Sequence, residues 1–140
     1  MTSEKKIIVH VSAFLKNKNG EYLFLKRSED SSWAPSIFDL PGGKMEWGEH
    51  PLDTLGRELL EEIGTVASNI TFAGMQTRIT ELKNVKYHVL KLYYFGTIST
   101  DVKLNDEHQS FKWFTIKEAL EANDIVDGIK KFIEKGQQQW

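Results

Sequence analysis

The sequence predicts a single α+β domain, on the evidence of its length, its composition and two kinds of hydrophobic periodicity. A chain of 140 residues matches one ordinary domain and is too short for two of comfortable size. Hydrophobic residues make up 40% and charged residues 27%, close to the averages of folded globular proteins. Apolar residues recur at every second position in some segments and at helical spacing in others. We therefore expect strands and helices within one domain that covers residues 1–140.

The N-terminal segments favour β-structure. Apolar residues alternate with other residues over 7–15, which predicts a strand. A turn-forming stretch at 16–20 leads to a second strand at 21–26, so the pair is expected to form a hairpin. Residues 28–36 are typical of a loop, and a short extended piece at 37–40 follows them. The domain thus begins with two long strands and one short one.

A sharp turn and a helix come next. Pro41-Gly42-Gly43 combines a rigid residue with two that adopt conformations barred to others, so the chain is expected to turn there. Pro51 suits the first turn of a helix, with His50 as its cap. Gly64 is expected to end this helix.

The C-terminal half predicts further strands and two more helices. The strands are expected at 70–80, 86–98 and 111–114. Thr115 and Glu118 form a capping-box pattern that indicates a short helix. Asp124 precedes a second helix, whose apolar positions recur at helical spacing. The tail at 136–140 is expected to be frayed.

Composition and charge exclude several classes of protein. The formal net charge of -2 gives no basic footprint for a nucleic-acid polymer, whereas small anionic substrates remain compatible with it. The absence of cysteine excludes disulfides, thiolate metal sites and a cysteine nucleophile, and fits a reducing compartment. Neither a signal sequence nor an apolar run of about 20 residues is present. We therefore expect a cytoplasmic protein with no membrane partner.

The helix that begins at Pro51 carries an acidic cluster. Its apolar side is expected to consist of Leu52, Leu55, Leu59 and Ile63. At helical spacing, Glu58, Glu61 and Glu62 fall within a wedge of about 100° and face the same point. Two such charges about 5 Å apart repel by roughly 3 kcal/mol at an effective dielectric constant near 20, which a bound cation would relieve. Carboxylates in this pattern suit Mg²⁺ or Mn²⁺, although an isolated cluster is more often a solvated acidic face.

The surrounding residues form a recognisable pattern. The segment 43–65 reads GKMEWGE, seven further residues, and then RELLEEIGT. This resembles the Nudix box, G-x5-E-x7-R-E-U-x-E-E-x-G-U, where U is a bulky aliphatic residue. All seven fixed letters and the first U match, whereas Thr65 departs from the last U. The flanks at 41–43 and 106–108 also resemble the family, so the resemblance covers nearly the whole domain.

The resemblance implies both a fold and an activity. The fold would be an α/β/α sandwich, in which a mixed, partly closed β-sheet is flanked by helices. The activity would be magnesium-dependent hydrolysis of a phosphoanhydride bond in a nucleoside diphosphate that is linked to another group, with Mn²⁺ able to substitute. A nucleoside triphosphate is favoured because the domain is small, while nucleotide sugars, ADP-ribose and dinucleoside polyphosphates stay open. The partner would be a small nucleotide, and a homodimer is left open.

The resemblance also assigns roles to residues of the box. It implies that Glu58 and Glu62 bind magnesium directly. Glu61 is then either a further ligand or the base that deprotonates the attacking water. A backbone carbonyl of Gly42 or Gly43 would complete the coordination, since glycine lets the backbone approach closely.

Other positions match the family outside the metal ligands. Glu107 corresponds to a loop glutamate that acts in relatives as a metal ligand or base. Arg27 matches a family position that often contacts phosphate, and Lys44 is a candidate for the same contact, while a solvated surface role stays open for both. Arg57 is expected to hold neighbouring glutamates, with Glu49 as its partner across the loop.

Aromatic residues add candidates for the pocket. Trp33 and Trp47 could stack on a base near its entrance, but packing in the fold is the favoured interpretation for both. Tyr87, Lys91 and Tyr93 share one strand face and could line the pocket.

Three other functions compete with hydrolysis. The first is a Nudix-fold sensor that binds a nucleotide without cutting it, although such a module need not keep all three glutamates. The second is the related isopentenyl diphosphate isomerase, which needs an active-site cysteine that this chain lacks. The third is an unrelated α/β domain with an acidic helix, which would bind no divalent ion.

Overall fold

The computed structural model describes residues 4–29, 36–99, 101–104, 108–136 and 140, and its central feature is a curled β-sheet. The strands in this part of the chain are β1 (Glu4–Lys16), β2 (Tyr22–Arg27), β3 (Phe38–Asp39), β4 (Gly42–Lys44), β5 (Ser68–Leu82), β6 (Val85–Thr97) and β7 (His108–Phe114). The helices are α1 (Pro51–Ile63), α2 (Ile116–Glu121) and α3 (Asp127–Lys135). None of the described helices is long and apolar enough to cross a bilayer.

The sheet is mixed, and its strand order is β3-β2-β1-β6-β5, with β4 paired to β1 and β7 paired to β2. Strands β1 and β6 run parallel from the pair Glu4 and Val85 to the pair Lys16 and Thr97. The other pairings are antiparallel. The predicted fold class, a mixed sheet flanked by helices, is therefore confirmed.

The predicted β1–β2 hairpin is confirmed only at its turn. Lys16 pairs with Tyr22, after which β2 leaves β1 and pairs along its length with β7. The edge of β1 that β2 vacates is occupied by β4, which the sequence did not predict as a strand. The chain bends at Pro41, and Gly42 and Gly43, which were expected to lie in the turn, belong to this strand.

The helices begin and end largely where capping predicts. In α1, the Nδ1 atom of His50 accepts a hydrogen bond from the backbone N–H of Leu52 at 3.1 Å, and Gly64 ends the helix with a φ of 68°. Helix α3 begins three residues after Asp124, later than predicted. The cause is that the intervening segment bonds to β3: the N–H of Phe38 donates to the carbonyl of Asp124, and Val126 donates to Phe38.

Two hydrophobic clusters lie on opposite faces of the sheet. The cluster under α1 is aliphatic and contains Val11, Ala13, Leu15, Leu55, Leu59 and Ile63. The cluster under α2 and α3 is rich in aromatic residues and contains Phe14, Phe24, Tyr93, Phe114 and Ile129. Leu52, which was predicted to pack with the aliphatic set, is instead 46% exposed.

The prediction of a frayed tail is wrong for the last residue. The ring of Trp140 lies 4.6 Å from that of Phe14 and 5.6 Å from that of Tyr22, measured between centroids. Its indole N–H donates to the carbonyl of Ile133 at 3.2 Å. Aromatic contacts of this kind offset the entropy of ordering a chain end. Residues 137–139 lie outside the described part of the chain.

Candidate active site

The centre of the site is the contact between the Gly42–Gly43 strand and helix α1. The pairing of β4 with β1 holds these glycines against the helix. The N–H of Gly42 donates to Oε1 of Glu62 at 2.7 Å, and Glu62 is only 4% exposed. A Cβ atom at Gly43 would collide with the carboxylate of Glu58. Glycine is therefore needed at 43 because a carboxylate occupies the space that a side chain would take.

Arg57 organises the acidic groups around this contact. Its Nε and Nη2 atoms donate to the two carboxylate oxygens of Glu49 at 2.8 and 3.0 Å, and Nη1 donates to Oε1 of Glu58 at 2.9 Å. Nη2 also donates to the carbonyl of Lys44 at 3.1 Å. The bond from Arg57 is the main cause that lowers the pKa of Glu49 to about 2, and the same bond raises the pKa of Arg57. The guanidinium of Arg57 is thus held by Glu49 of the loop and in turn holds the carboxylate of Glu58.

Thr54 is a further part of this network, and the sequence interpretation missed it. Its hydroxyl donates to Oε1 of Glu49 at 3.0 Å, and the residue is fully buried. The same oxygen of Glu49 accepts from the N–H of Glu46 at 2.8 Å. Position 54 lies among the seven variable residues of the box, so no motif letter marks it.

The three glutamates of α1 differ in exposure and in their partners, and their joint binding of an ion stays a prediction. Glu58 and Glu62 turn toward the glycine strand, and their side chains are largely buried. The side chain of Glu61 is 54% exposed and lies 3.5 Å from Nη1 of Arg57. Within the described residues, no group of three or more His, Cys, Asp or Glu side chains is arranged to hold an ion. Glu58 and Glu61 both approach Nη1 of Arg57, whereas Glu62 accepts from the N–H of Gly42.

The groups beside Gly43 nevertheless have the chemistry of a divalent-cation site. Glu62 is buried and Glu58 is 15% exposed, and the solvated-face alternative does not account for two such carboxylates on one short strand. Carboxylate and backbone carbonyl oxygens are the ligands that Mg²⁺ and Mn²⁺ prefer. Glu58, Glu62 and the loop at 42–43 are thus the residues that could hold a metal.

A cationic cavity of about 600 Å³ opens beside Lys44, on the sheet face opposite α1. Five basic side chains in its lining come from five strands: Lys6, Arg27, Lys44, Arg78 and Lys91. The acidic side chains in the lining are Asp39 and Glu81. Asp39 lies 3.9 Å from Nη1 of Arg27. The cavity therefore has the charge to receive an anion.

Two basic groups of this cavity are desolvated. Burial lowers the pKa of His10 to about 4, although the nearby charge of Asp39 opposes the shift. Burial likewise lowers the pKa of Lys91, again against the effect of Asp39. Removing a cation from water in this way is unfavourable unless an anion compensates for it.

The remaining predicted residues divide between the cavity, the core and the surface. Arg27, Lys44, Tyr87 and Lys91 line the cationic cavity, whereas Tyr93 lies in the aromatic core. The hydroxyl of Tyr93 donates to Gln76 at 2.9 Å, and burial raises its pKa. Trp47 is fully exposed, so the packing interpretation is wrong for it. Trp33 and Glu107 lie outside the described residues.

Comparisons with known proteins agree with this geometry. Residues 6–136 match the model of the NUDIX domain family. The MutT protein from Methanosarcina mazei Go1 superimposes with a TM-score of 0.84 and 32% identity over 97% of this chain and 96% of that one. An 8-oxo-dGTP diphosphatase from Haemophilus influenzae is 42% identical over 66 residues, which span 47% of this chain and 48% of that protein. A mouse asymmetrical bis(5'-nucleosyl)-tetraphosphatase is 26% identical over 92% of this chain and 86% of its own length.

The chain belongs to the NUDIX domain family, because the family model covers nearly all of it. It is a Nudix hydrolase that acts on acid anhydride bonds in nucleoside diphosphate derivatives.

Proposed function

We propose that this chain is a magnesium-dependent pyrophosphohydrolase whose preferred substrates are nucleoside triphosphates. The observation that carries the proposal is the packing of Glu58 and Glu62 against Gly42 and Gly43, on a strand whose next residue, Lys44, lines a cavity rich in cations. Carboxylates suit a metal and cations suit phosphate, so the two regions together fit a metal-assisted hydrolysis of a phosphoanhydride bond. Mn²⁺ is expected to substitute for Mg²⁺.

The residues of the box would have different roles in the reaction. Glu58 and Glu62 would bind the cation, together with a backbone carbonyl of Gly42 or Gly43. When bound, the cation neutralises charge on the phosphate oxygens and makes water easier to deprotonate. Glu61, whose carboxylate is half exposed, can serve as a further ligand or as the base that takes the proton from the attacking water. Glu107 is the second candidate for the base.

Two groups would act around this centre. Arg57 keeps Glu58 in place through the Nη1 bond and is itself held by the two bonds to Glu49. Arg27 and Lys44 would hold phosphate oxygens in the cationic cavity, where Asp39 keeps Arg27 oriented. These residues bind and position, and none of them needs to exchange a proton.

The preference for triphosphates draws on the relatives. One is named an 8-oxo-dGTP diphosphatase, and another, from Escherichia coli, is named a nucleoside triphosphatase and is 32% identical over 71% of this chain. The mouse tetraphosphatase makes dinucleoside polyphosphates the second substrates to test. Nucleotide sugars and ADP-ribose are the third group of substrates to test.

A substrate panel tests the proposal. Ordinary and oxidised nucleoside triphosphates, dinucleoside polyphosphates, ADP-ribose and nucleotide sugars are incubated with the protein and Mg²⁺, and phosphate and pyrophosphate release are measured separately. We expect pyrophosphate from a triphosphate, loss of turnover in EDTA, and recovery with Mg²⁺ or Mn²⁺. If no compound is cut but a nucleotide still binds, the chain is instead a Nudix-fold nucleotide sensor.

A further inference from the structure

A second and larger cavity adjoins the cationic cavity. The second one, of about 790 Å³, lies between β5, β6 and the start of α3 and includes Gln76, Ile125 and Gly128 in its lining. Arg78 and Lys91 line both cavities. A ligand that extends from one cavity to the other must therefore pass these two side chains.

Lys91 lies where the two cavities meet, on a strand that is paired on both sides. It is on β6, paired with His10 of β1 on one side and with Gln76 of β5 on the other. The amide of Gln76 is fixed because its Oε1 accepts from Tyr93 at 2.9 Å and its Nε2 donates to the carbonyl of Gly128 at 3.0 Å. Lys91 thus projects from a position whose neighbours are held in place.

The balance of charge around Lys91 favours an anion as its partner. The carboxylate whose charge acts on Lys91 is Asp39, which also lies 3.9 Å from Nη1 of Arg27. The positive charges of Arg27 and Arg78 act on Lys91 as well. The two carboxylates of the lining are outnumbered by its five basic side chains, and a phosphate group placed in the cavity would supply the missing negative charge.

We propose that Lys91 is a specificity-determining residue that recognises a phosphate group beyond the diphosphate bound at the α1 carboxylates. This inference rests on the proposed hydrolysis and narrows its substrate class to compounds with three or more consecutive phosphates. A nucleotide sugar or ADP-ribose would instead bring an uncharged sugar against Lys91, which would then lack the phosphate that compensates for its burial. The second cavity, whose lining includes apolar side chains, has room for the nucleoside.

Binding of inorganic anions tests this role without any catalytic step. Tripolyphosphate and pyrophosphate are titrated into the protein by calorimetry in the presence of Mg²⁺. We expect tripolyphosphate to bind more tightly to the wild type, by roughly ten- to a hundredfold, as a bond to a charged group should give. In Lys91→Met the difference should largely disappear, and in Lys91→Arg it should largely return.

The matched control is Lys86→Met, because Lys86 is an exposed lysine of the same strand on the opposite sheet face. It is expected to retain the wild-type preference for tripolyphosphate. Loss of the preference in both lysine variants would indicate a general effect of net charge and would overturn the specific role of Lys91. Equal wild-type affinities for the two anions would overturn it as well.

Kinetics separate this inference from the proposed function. For a triphosphate, kcat/KM of Lys91→Met should fall roughly ten- to a hundredfold, and for ADP-ribose it should fall much less. Equal falls for both substrates would mean that Lys91 supports the fold or the chemistry but does not select the substrate. If the wild type cuts neither substrate, the proposed function fails, while the tripolyphosphate titration still decides whether Lys91 selects a third phosphate.

Discussion

The acidic segment of the box and the cationic cavity lie within one small domain, yet they are built in different ways. The acidic segment takes Glu49, Glu58 and Glu62 from a short stretch of chain and joins them through Arg57 and the Gly42 N–H. The cavity collects its basic residues from β1, β2, β4, β5 and β6, so positions far apart in sequence become neighbours only through strand register.

This contrast explains what each region can contribute. The geometry of a contiguous loop and helix depends little on distant strands, which suits the chemical step common to a family. A cavity assembled from many strands changes with each strand and its register, which suits the recognition of one substrate. Substitutions in the first region should therefore affect turnover of all substrates, and substitutions in the second should affect their ranking.

The largest effect is expected for Glu62→Gln. The change keeps the size of the side chain, and Gln can still accept the hydrogen bond that Gly42 donates, but it removes the negative charge. Loss of a metal-binding charge should reduce kcat by roughly three orders of magnitude for every substrate, while the fold is retained. Turnover and the circular dichroism spectrum are measured together.

Asp53→Asn is the matched control for this substitution. Asp53 is an exposed carboxylate in the first turn of the same helix and is not part of the glycine contact. Its replacement should leave turnover close to that of the wild type. Near-normal turnover of Glu62→Gln would remove Glu62 from the proposed ligands.

Gly43→Ala should have the next largest effect. The added methyl group would overlap the carboxylate of Glu58, which must then move away from the glycine strand. Displacing a catalytic group by about 1 Å can lower the rate roughly a hundredfold, and overpacking costs about 1–3 kcal/mol of stability. Turnover with several substrates should fall in parallel, whereas a change confined to one substrate would contradict the assignment of this glycine to the chemical step.

The sequence predicted the acidic segment well because its signals are local. The helix from Pro51 to Ile63, its cap at His50 and its end at Gly64 all follow from residues within one stretch of chain. Helical spacing and the motif together identified the glutamates. The partners of the three carboxylates were not all predicted, since helical geometry places the Cα atoms but does not determine which group each side chain meets.

The cavity was predicted only in fragments because its contacts are not local. Arg27, Lys44 and Lys91 were each candidates, but nothing in the sequence related them to Asp39 or Arg78. The parallel β1–β6 pairing and the short strand β4 bring these residues together. The clustering of positive charge therefore depends on strand register, which cannot be predicted from composition and periodicity.

A smaller effect is expected from protonation of His10, and it should act on stability. Its pKa is about 4 in the folded protein against a usual value of 6.5, mainly because it is buried. Between these values the unfolded chain binds a proton that the folded one does not, so stability should fall as the pH drops from 6.5 to 4. The loss is about 3 kcal/mol at most.

Urea unfolding of the wild type and of His10→Gln at several pH values measures this contribution. Between pH 6.5 and 4, the free energy of unfolding should fall much less in the variant than in the wild type. Above pH 7 the free energies of the two proteins should change with pH in parallel. If the free energy of unfolding has the same pH dependence in both proteins, His10 is solvated, which would argue against desolvation of basic groups in the cationic cavity.

The smallest effect contrasts two glycines of the box. Gly56 lies inside α1, and a Cβ atom there would meet nothing within 4 Å. Alanine loses less backbone entropy on folding than glycine does, so Gly56→Ala should stabilise the protein by about 0.5–1 kcal/mol. Thermal unfolding should shift upward by about 2–4 °C, with unchanged turnover. The opposite signs expected for Gly56→Ala and Gly43→Ala follow from what lies beside each residue: open space at the first and the Glu58 carboxylate at the second. Destabilisation by Gly56→Ala would mean that this face of the helix is in contact with something the described residues do not include.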